Sequence, residues 1–270
     1  MNWNREENVK LPLLNRKILL PLLSILFFLG IIVISYNSWI SIVSIIFFLL
    51  IIYIINVEYR FLTSVFIAFL VSFLFYKLTN ILIEQLEISK ELRILLNRGL
   101  LIIILVGLCA VPLSNKKKLL FFNNRPNWNN RIDMPYHSIK LSYFMLIGVI
   151  VSGISFLPFI VQQEIGYIKS LLGFCLMFSI INATLEELIW RGLMLSSLKD
   201  CVSVTSAVAI TSIGFGLLHL AIGIPFILSL LFSFGGLFYA LIVIKTNSIY
   251  PSIIFHFVIN IGMVLSGLIL

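Results

Sequence analysis

Three short stretches of this 270-residue chain hold side chains able to do acid–base chemistry inside apolar surroundings. INATLEELIWRGL carries Asn182, Glu186, Glu187 and Arg191, GFGLLHL carries His219, and IFHFVIN carries His256 and Asn260. A charged side chain at the centre of a bilayer costs roughly 2.5–3.5 kcal/mol on insertion scales, so such groups turn toward a bundle interior or a wet cavity. Glu187 and Arg191 are four apart with the acid first, the favourable order for an ion pair on one helical face. Glu186 is turned about 100° away from Glu187. It has no counter-charge on its own helix, although Asn182 lies one turn before it. His256 and Asn260 are also four apart and share a face.

These residue types admit several chemistries. A glutamate and a histidine together can hold a water and take its proton as it attacks a carbonyl. A second histidine with an asparagine can donate hydrogen bonds to the developing oxyanion. The same side chains, Glu186, His219 and His256, could instead be zinc ligands with one open position, assembled from three helices because H-E-x-x-H is absent. Intramembrane acids and histidines also occur in transporters and proton relays. A buried polar network that only fixes helix packing needs no chemistry at all. Gly192, Gly214, Gly216, Gly235 and Gly236 are explained by close helix approach.

The elements that position these groups are membrane spans. Hydrophobic residues make up 60% of the chain and charged ones 11%, against roughly 45–50% and about 25% in soluble domains. The expected fold is therefore all-α, a polytopic transmembrane bundle of about eight to nine spans. Runs of about 20 apolar residues fall at 18–36, 39–57, 61–83, 94–114, 141–161, 170–197, 203–221, 225–244 and 249–269. Lys77 interrupts the third, and Asn37–Ser38 alone separate the first two, which predicts a tight helical hairpin. The first run is too long for a signal h-region and lacks a small-x-small cleavage site, so it is read as a span. Residues 84–98 place Ile88, Leu92, Leu95 and Leu96 on one face, which predicts a short helix lying in the interface. The 115–140 loop is basic and carries Pro126, Trp128 and Pro135, as expected of a cytoplasmic loop near anionic headgroups. His137 in that loop reads as a surface histidine. Residues 1–140 are expected to form an N-terminal membrane region and 141–270 the catalytic membrane domain.

Charge sets the orientation. With nine spans and a cytoplasmic N-terminus, 13 Lys and Arg fall inside and 5 outside, with Arg191 within a span. The positive-inside rule then favours N-terminus in and C-terminus out. The net charge of +8 sits between apolar runs, which points to the lipid bilayer as a partner and away from nucleic acid. Cys109, Cys175 and Cys201 lack paired spacing and read as buried free thiols. Depth gives a geometric check. Glu186, His219 and the His256–Asn260 pair lie roughly 18, 24 and 10–17 Å from the same membrane face at 1.5 Å per helical residue.

E-E-x-x-x-R at Glu186–Arg191, F-x-x-x-H at Phe215–His219 and H-x-x-x-N at His256–Asn260 occur in order, each on its own expected helix. Together they resemble the CPBP (ABI) family of intramembrane proteases. That family includes the type II CAAX prenyl endopeptidases and bacterial proteins of bacteriocin processing and self-immunity. The resemblance covers about residues 170–270. It implies that Glu186 and His219 activate the hydrolytic water, that His256 and Asn260 stabilise the oxyanion, and that Glu187 and Arg191 support the site. It implies a metal-free glutamate mechanism, with zinc as the alternative cofactor. Trp190 stands where phenylalanine or tyrosine is more usual. The expected protein is a multi-pass cell-membrane endopeptidase of a bacterium, acting on a membrane-associated peptide or protein, with a CAAX substrate not implied. A non-catalytic immunity or transporter protein is the alternative from another class.

Overall fold

A computed structural model describes residues 16–117, 122–133 and 136–269. Helices occupy all nine expected spans. They are α1 (Arg16–Ser35), α2 (Trp39–Ile55), α3 (Arg60–Glu84), the pair α4 (Lys90–Gly99) and α5 (Leu101–Ser114), and α6 (Leu141–Ile160). Then come α7 (Ile165–Glu187), which continues through a π-helical stretch (Leu188–Leu195) into α8 (Ser196–Lys199), and α9 (Val204–Leu218), which tightens into a 3-10 turn (His219–Ile222). The last two are α10 (Phe226–Thr246) and α11 (Tyr250–Leu265). Seven of these units are long and apolar enough to cross a membrane, and α2 and α11 are shorter apolar helices. The chain is a multi-pass, all-α membrane protein. Among the described residues the one sheet is an antiparallel hairpin of β1 (Arg131–Asp133) and β2 (Ser138–Lys140).

The helices are apolar on every side, so burial is shared between protein and lipid. Along α6, Leu146, Ile150 and Ile154 are exposed, whereas Phe27, Phe66, Phe69, Phe73 and Trp190 are buried together. Phe27 stacks on Phe66 with ring centroids 4.4 Å apart, and Phe69 meets Trp190 at 5.0 Å. This core draws on helices from both 1–140 and 141–270. The α1–α2 hairpin turns as expected through Asn37, which adopts φ 57°. Asparagine tolerates that left-handed conformation better than most residues.

The loops assigned to one membrane face converge at one end of the bundle. Lys117 Nζ lies 3.3 Å from Asp200 Oδ2 and 3.7 Å from the Phe61 ring centroid. Asn123 forms a β-bridge with Ser248, and Ile249 N–H donates to the Phe122 carbonyl. The starts of the third and ends of the fourth spans therefore share a face with the later turns, as nine alternating passes require. Of the residues used for the orientation and loop readings, Arg5, Lys10, Lys118 and Pro135 lie outside the described residues, as do the side chains of Arg16 and Lys17.

One expectation needs correction. Residues 84–98 do not form a separate interfacial helix. Ser89 caps α4, its Oγ accepting from the Leu92 N–H, and α4 runs through Leu100 into α5 as one span-length unit, Lys90–Ser114. Two of its polar side chains, Asn97 and Arg98, find partners inside the bundle. Tyr76 OH donates to Asn97 Oδ1 at 3.0 Å, and Asn97 Nδ2 donates to Asn80 Oδ1 at 2.6 Å.

Candidate active site

The three motifs meet at the point where α7 changes from α- to π-helical winding. π-turns occur mostly within longer helices and often at functional sites. Here the change begins directly after the two glutamates, and Glu186 and Glu187 leave α7 in different directions. Glu187 is fully buried and becomes the centre of a closed knot. Arg191 Nη1 donates to Glu187 Oε1 at 2.9 Å, and His256 Nδ1 lies 3.0 Å from the same oxygen. Arg191 Nη2 donates to the Gly236 carbonyl at 2.8 Å. The Arg191 guanidinium also lies 4.5 Å from the Phe215 ring centroid and 5.2 Å from that of Tyr239. The pair expected between Glu187 and Arg191 forms, and it additionally grips α10 and α11.

That knot determines how His256 presents its ring. A carboxylate can only accept, so His256 Nδ1 carries the proton and Nε2 is left with the lone pair in the neutral ring. Tyr239 stacks on the imidazole at 5.0 Å and 13°. Nε2 then points toward Glu186, 3.5 Å from Oε2. His219 is held by the same logic. Its Nδ1 lies 3.0 Å from the Phe215 carbonyl, which also can only accept. Phe232 stacks on the ring at 4.2 Å and 13°. Both histidines thus turn a free Nε2 away from their anchors.

Glu186 is 2% exposed and makes no hydrogen bond to the described residues; its charged neighbours are His256 and, unexpectedly, Arg98 on α4. Arg98 Nη1 lies 3.6 Å from Glu186 Oε1. Glu186 therefore does have a counter-charge, supplied from another helix. The sequence hid it because Arg98 sits among the mixed charges of a segment that reads as interfacial.

Glu186, His219, His256 and Asn260 all line one cleft of about 1320 Å³. Its polar wall comes from α3 and α4, including Asn80, Arg93 and Asn97, and its apolar wall from α6 and α10, including Ile147, Val151, Phe234 and Phe238. His137 and Ile139 of the hairpin region border it, so the exposed His137 stands at a site wall rather than on an unrelated surface. Asn260 is 4% exposed and its Nδ2 has no hydrogen-bond partner among the described residues. Asn182 Oδ1, one turn before Glu186, is similarly unpartnered. Lys77, visible in the sequence as an interruption, is buried and donates to the Ala221 carbonyl at 3.3 Å, two residues beyond His219.

The glycines divide between packing and open space. A methyl on Gly214 would stand 2.7 Å from the Trp190 ring, and one on Gly236 would stand 2.8 Å from the Ser212 carbonyl. Gly235 meets nothing within 4 Å and lines the cleft. The cysteines are free. Burial pushes the Cys201 thiol up from its ordinary range, outweighing the pull of nearby Lys117.

Among the described residues no three His, Cys, Asp or Glu side chains converge to hold a metal, and Glu186 faces a guanidinium.

The family model for type II CAAX prenyl endopeptidase Rce1-like proteins matches residues 168–262. All seven motif residues fall within that segment. Arg98, Lys77 and the Asn80–Asn97 contact fall before it. No curated protein and no solved structure matches the chain.

Proposed function

We propose that the protein is an endopeptidase hydrolysing a peptide bond within or near the bilayer, a reading supported by the match of residues 168–262 to the type II CAAX prenyl endopeptidase Rce1-like model. The observation that carries this reading is the contrast at one helical turn: Glu187 is consumed by an ion-pair knot, while Glu186 faces the cleft without a hydrogen bond. Glu186 takes a proton from a water held between it and His219 as the water oxygen attacks the scissile carbonyl. The tetrahedral oxyanion accepts hydrogen bonds from Asn260 Nδ2 and from His256 Nε2. Donation from Nε2 uses the doubly protonated form of His256, because Nδ1 is already committed to Glu187. The C–N bond then breaks, and the proton held by Glu186 passes to the leaving amine. No step needs a metal ion. The substrate is a membrane-associated peptide or protein, and the cytoplasmic N-terminus follows from the charge asymmetry.

Glu186→Gln tests the chemistry with almost no change of shape. Quantitative mass spectrometry of membrane peptides, comparing cells with the wild-type protein and the variant, should reveal a precursor whose processing falls by about 10²–10⁴-fold. Unchanged processing in Glu186→Gln membranes would sink the protease reading. Full activity after exhaustive dialysis against a zinc chelator is expected, and loss restored by added zinc would overturn the metal-free mechanism. Membrane-impermeant labelling of a cysteine placed in the 122–133 loop should fail on intact cells and succeed on inverted vesicles.

A further inference from the structure

The motif-bearing segment by itself gives Glu186 no permanent counter-charge. Glu186, Glu187 and Arg191 are all buried, and together they carry two negative charges against one positive. The ion-pair contacts leave no doubt which acid Arg191 serves: it is bound to Glu187 at 2.9 Å. Glu186 is then left with only His256, a titratable group whose Nε2 lies 3.5 Å from its Oε2, and a poorly compensated buried charge is strongly destabilising. Arg98 is the cation within ion-pair distance that balances it, at 3.6 Å and with its own side chain 12% exposed. It also lies 5.8 Å from the Phe178 ring centroid, on the same helix as Glu186.

Arg98 is itself held from behind. The preceding residue, Asn97, is fixed to α3 by the hydrogen bonds from Tyr76 and to Asn80, and Asn80 Nδ2 donates to Glu84 Oε1 at 2.6 Å. A rigid polar seam on α3 thus sets where α4 presents its guanidinium. We propose that Arg98 is a positioning residue for Glu186, supplied by a helix outside the family-matched segment, which balances the charge of the base and aims it into the cleft. The inference rests on the protease reading above. It gives the N-terminal helices a defined part in the reaction: they complete the charge balance of a site whose other residues they do not contain. Arg98 acts through Glu186 and needs no contact with substrate.

The test uses the full-length protein in membranes and the precursor peptide that accumulates with Glu186→Gln. Arg98→Ala should lower the single-turnover cleavage rate by tenfold or more while the substrate concentration giving half-maximal rate stays within about twofold. Arg98→Lys should recover part of the rate, and methylguanidinium should rescue Arg98→Ala in a saturable way without rescuing Glu186→Gln. A substrate-free readout runs alongside. The carboxylate infrared band identified by its loss in Glu186→Gln should shift in frequency in Arg98→Ala, and methylguanidinium should restore it. If Arg98→Ala does not accumulate in membranes, Arg98→Gln carries the same readouts. An unchanged rate and unchanged infrared band in Arg98→Ala would overturn the proposal, as would a loss confined to half-saturation. Those outcomes leave the protease reading intact so long as Glu186→Gln is inactive; activity in Glu186→Gln would instead defeat that reading itself.

Discussion

Two sides of one helical turn differ in how tightly they hold their charges. On the side of Glu187, contacts to Arg191 and His256 are 2.9 and 3.0 Å, and Arg191 is further bound to the Gly236 carbonyl. On the side of Glu186, contacts to His256 and Arg98 are 3.5 and 3.6 Å, and the carboxylate borders a cleft. Short, mutually oriented contacts fix geometry but leave an atom unable to exchange protons with a substrate. Looser contacts leave that capacity open. Adjacent residues of one type thus acquire different work through the partners that surround them, and His256 links the two sides through its two ring nitrogens.

The largest effects should separate the two acids. Glu186→Gln should remove activity at a smaller cost in stability than Glu187→Ala, because the contact it weakens, to Arg98 at 3.6 Å, is longer and less buried than the Glu187 knot. Glu187→Ala leaves Arg191 and His256 buried without their shared acceptor, which should cost about 3–5 kcal/mol. Unfolding in detergent, followed by circular dichroism, measures both. Equal destabilisation by the two substitutions would break the division between an orienting and a reacting side.

Lys77→Met should act next in size. The Lys77 ammonium holds the Ala221 carbonyl at the end of the 3-10 turn that begins with His219. Hydrogen bonds of charged groups contribute about 1.5–3 kcal/mol, partly offset here because methionine avoids burying an ammonium. The expected outcome is a loss of about 1 kcal/mol in stability with cleavage lowered about tenfold, since a displaced His219 misplaces the water it shares with Glu186. Full cleavage in a stable Lys77→Met protein would show that His219 needs no anchoring from α3.

Much of this site was readable from residue type and helical period. Charge is expensive in lipid, so Glu186, Glu187, Arg191, His219 and His256 announced themselves by lying in apolar runs, and the four-residue spacings of Glu187–Arg191 and His256–Asn260 placed each pair on a face. The nine expected spans followed from the length of apolar runs, with α2 and α11 coming out short of full span length among the described residues. The partner of Glu186 was not readable. Periodicity along one helix says nothing about which other helix faces it, and Arg98 lies in a segment whose alternating charges look like an interfacial face. Nor could the sequence show the π-helical winding after Glu187, because helical periodicity does not distinguish one extra residue in a turn. Lys77 was an intermediate case: its presence in a span was visible, but its acceptor, a backbone carbonyl 144 residues away, was not.

The smallest expected effects distinguish packing from open space at the two glycines of α10. Gly236 backs directly onto α9, so the methyl of Gly236→Ala would stand 2.8 Å from the Ser212 carbonyl and 2.9 Å from its Cα. Neither backbone atom can rotate aside, and overpacking of this kind costs about 1–3 kcal/mol. The same shift would move the Gly236 carbonyl that receives Arg191, loosening the knot around Glu187. Gly235 is one residue away and has open space where its Cβ would be. Gly235→Ala should therefore gain about 0.5–1 kcal/mol from the lower backbone entropy of alanine in a helix. It also adds one methyl to the cleft wall, so cleavage should change by no more than a small factor. Thermal unfolding of both variants in the same detergent reads the contrast directly. A destabilised Gly235→Ala protein would mean that α10 packs more closely at the cleft than its open face indicates, and that the loose side of the site is narrower than the contacts of Glu186 imply.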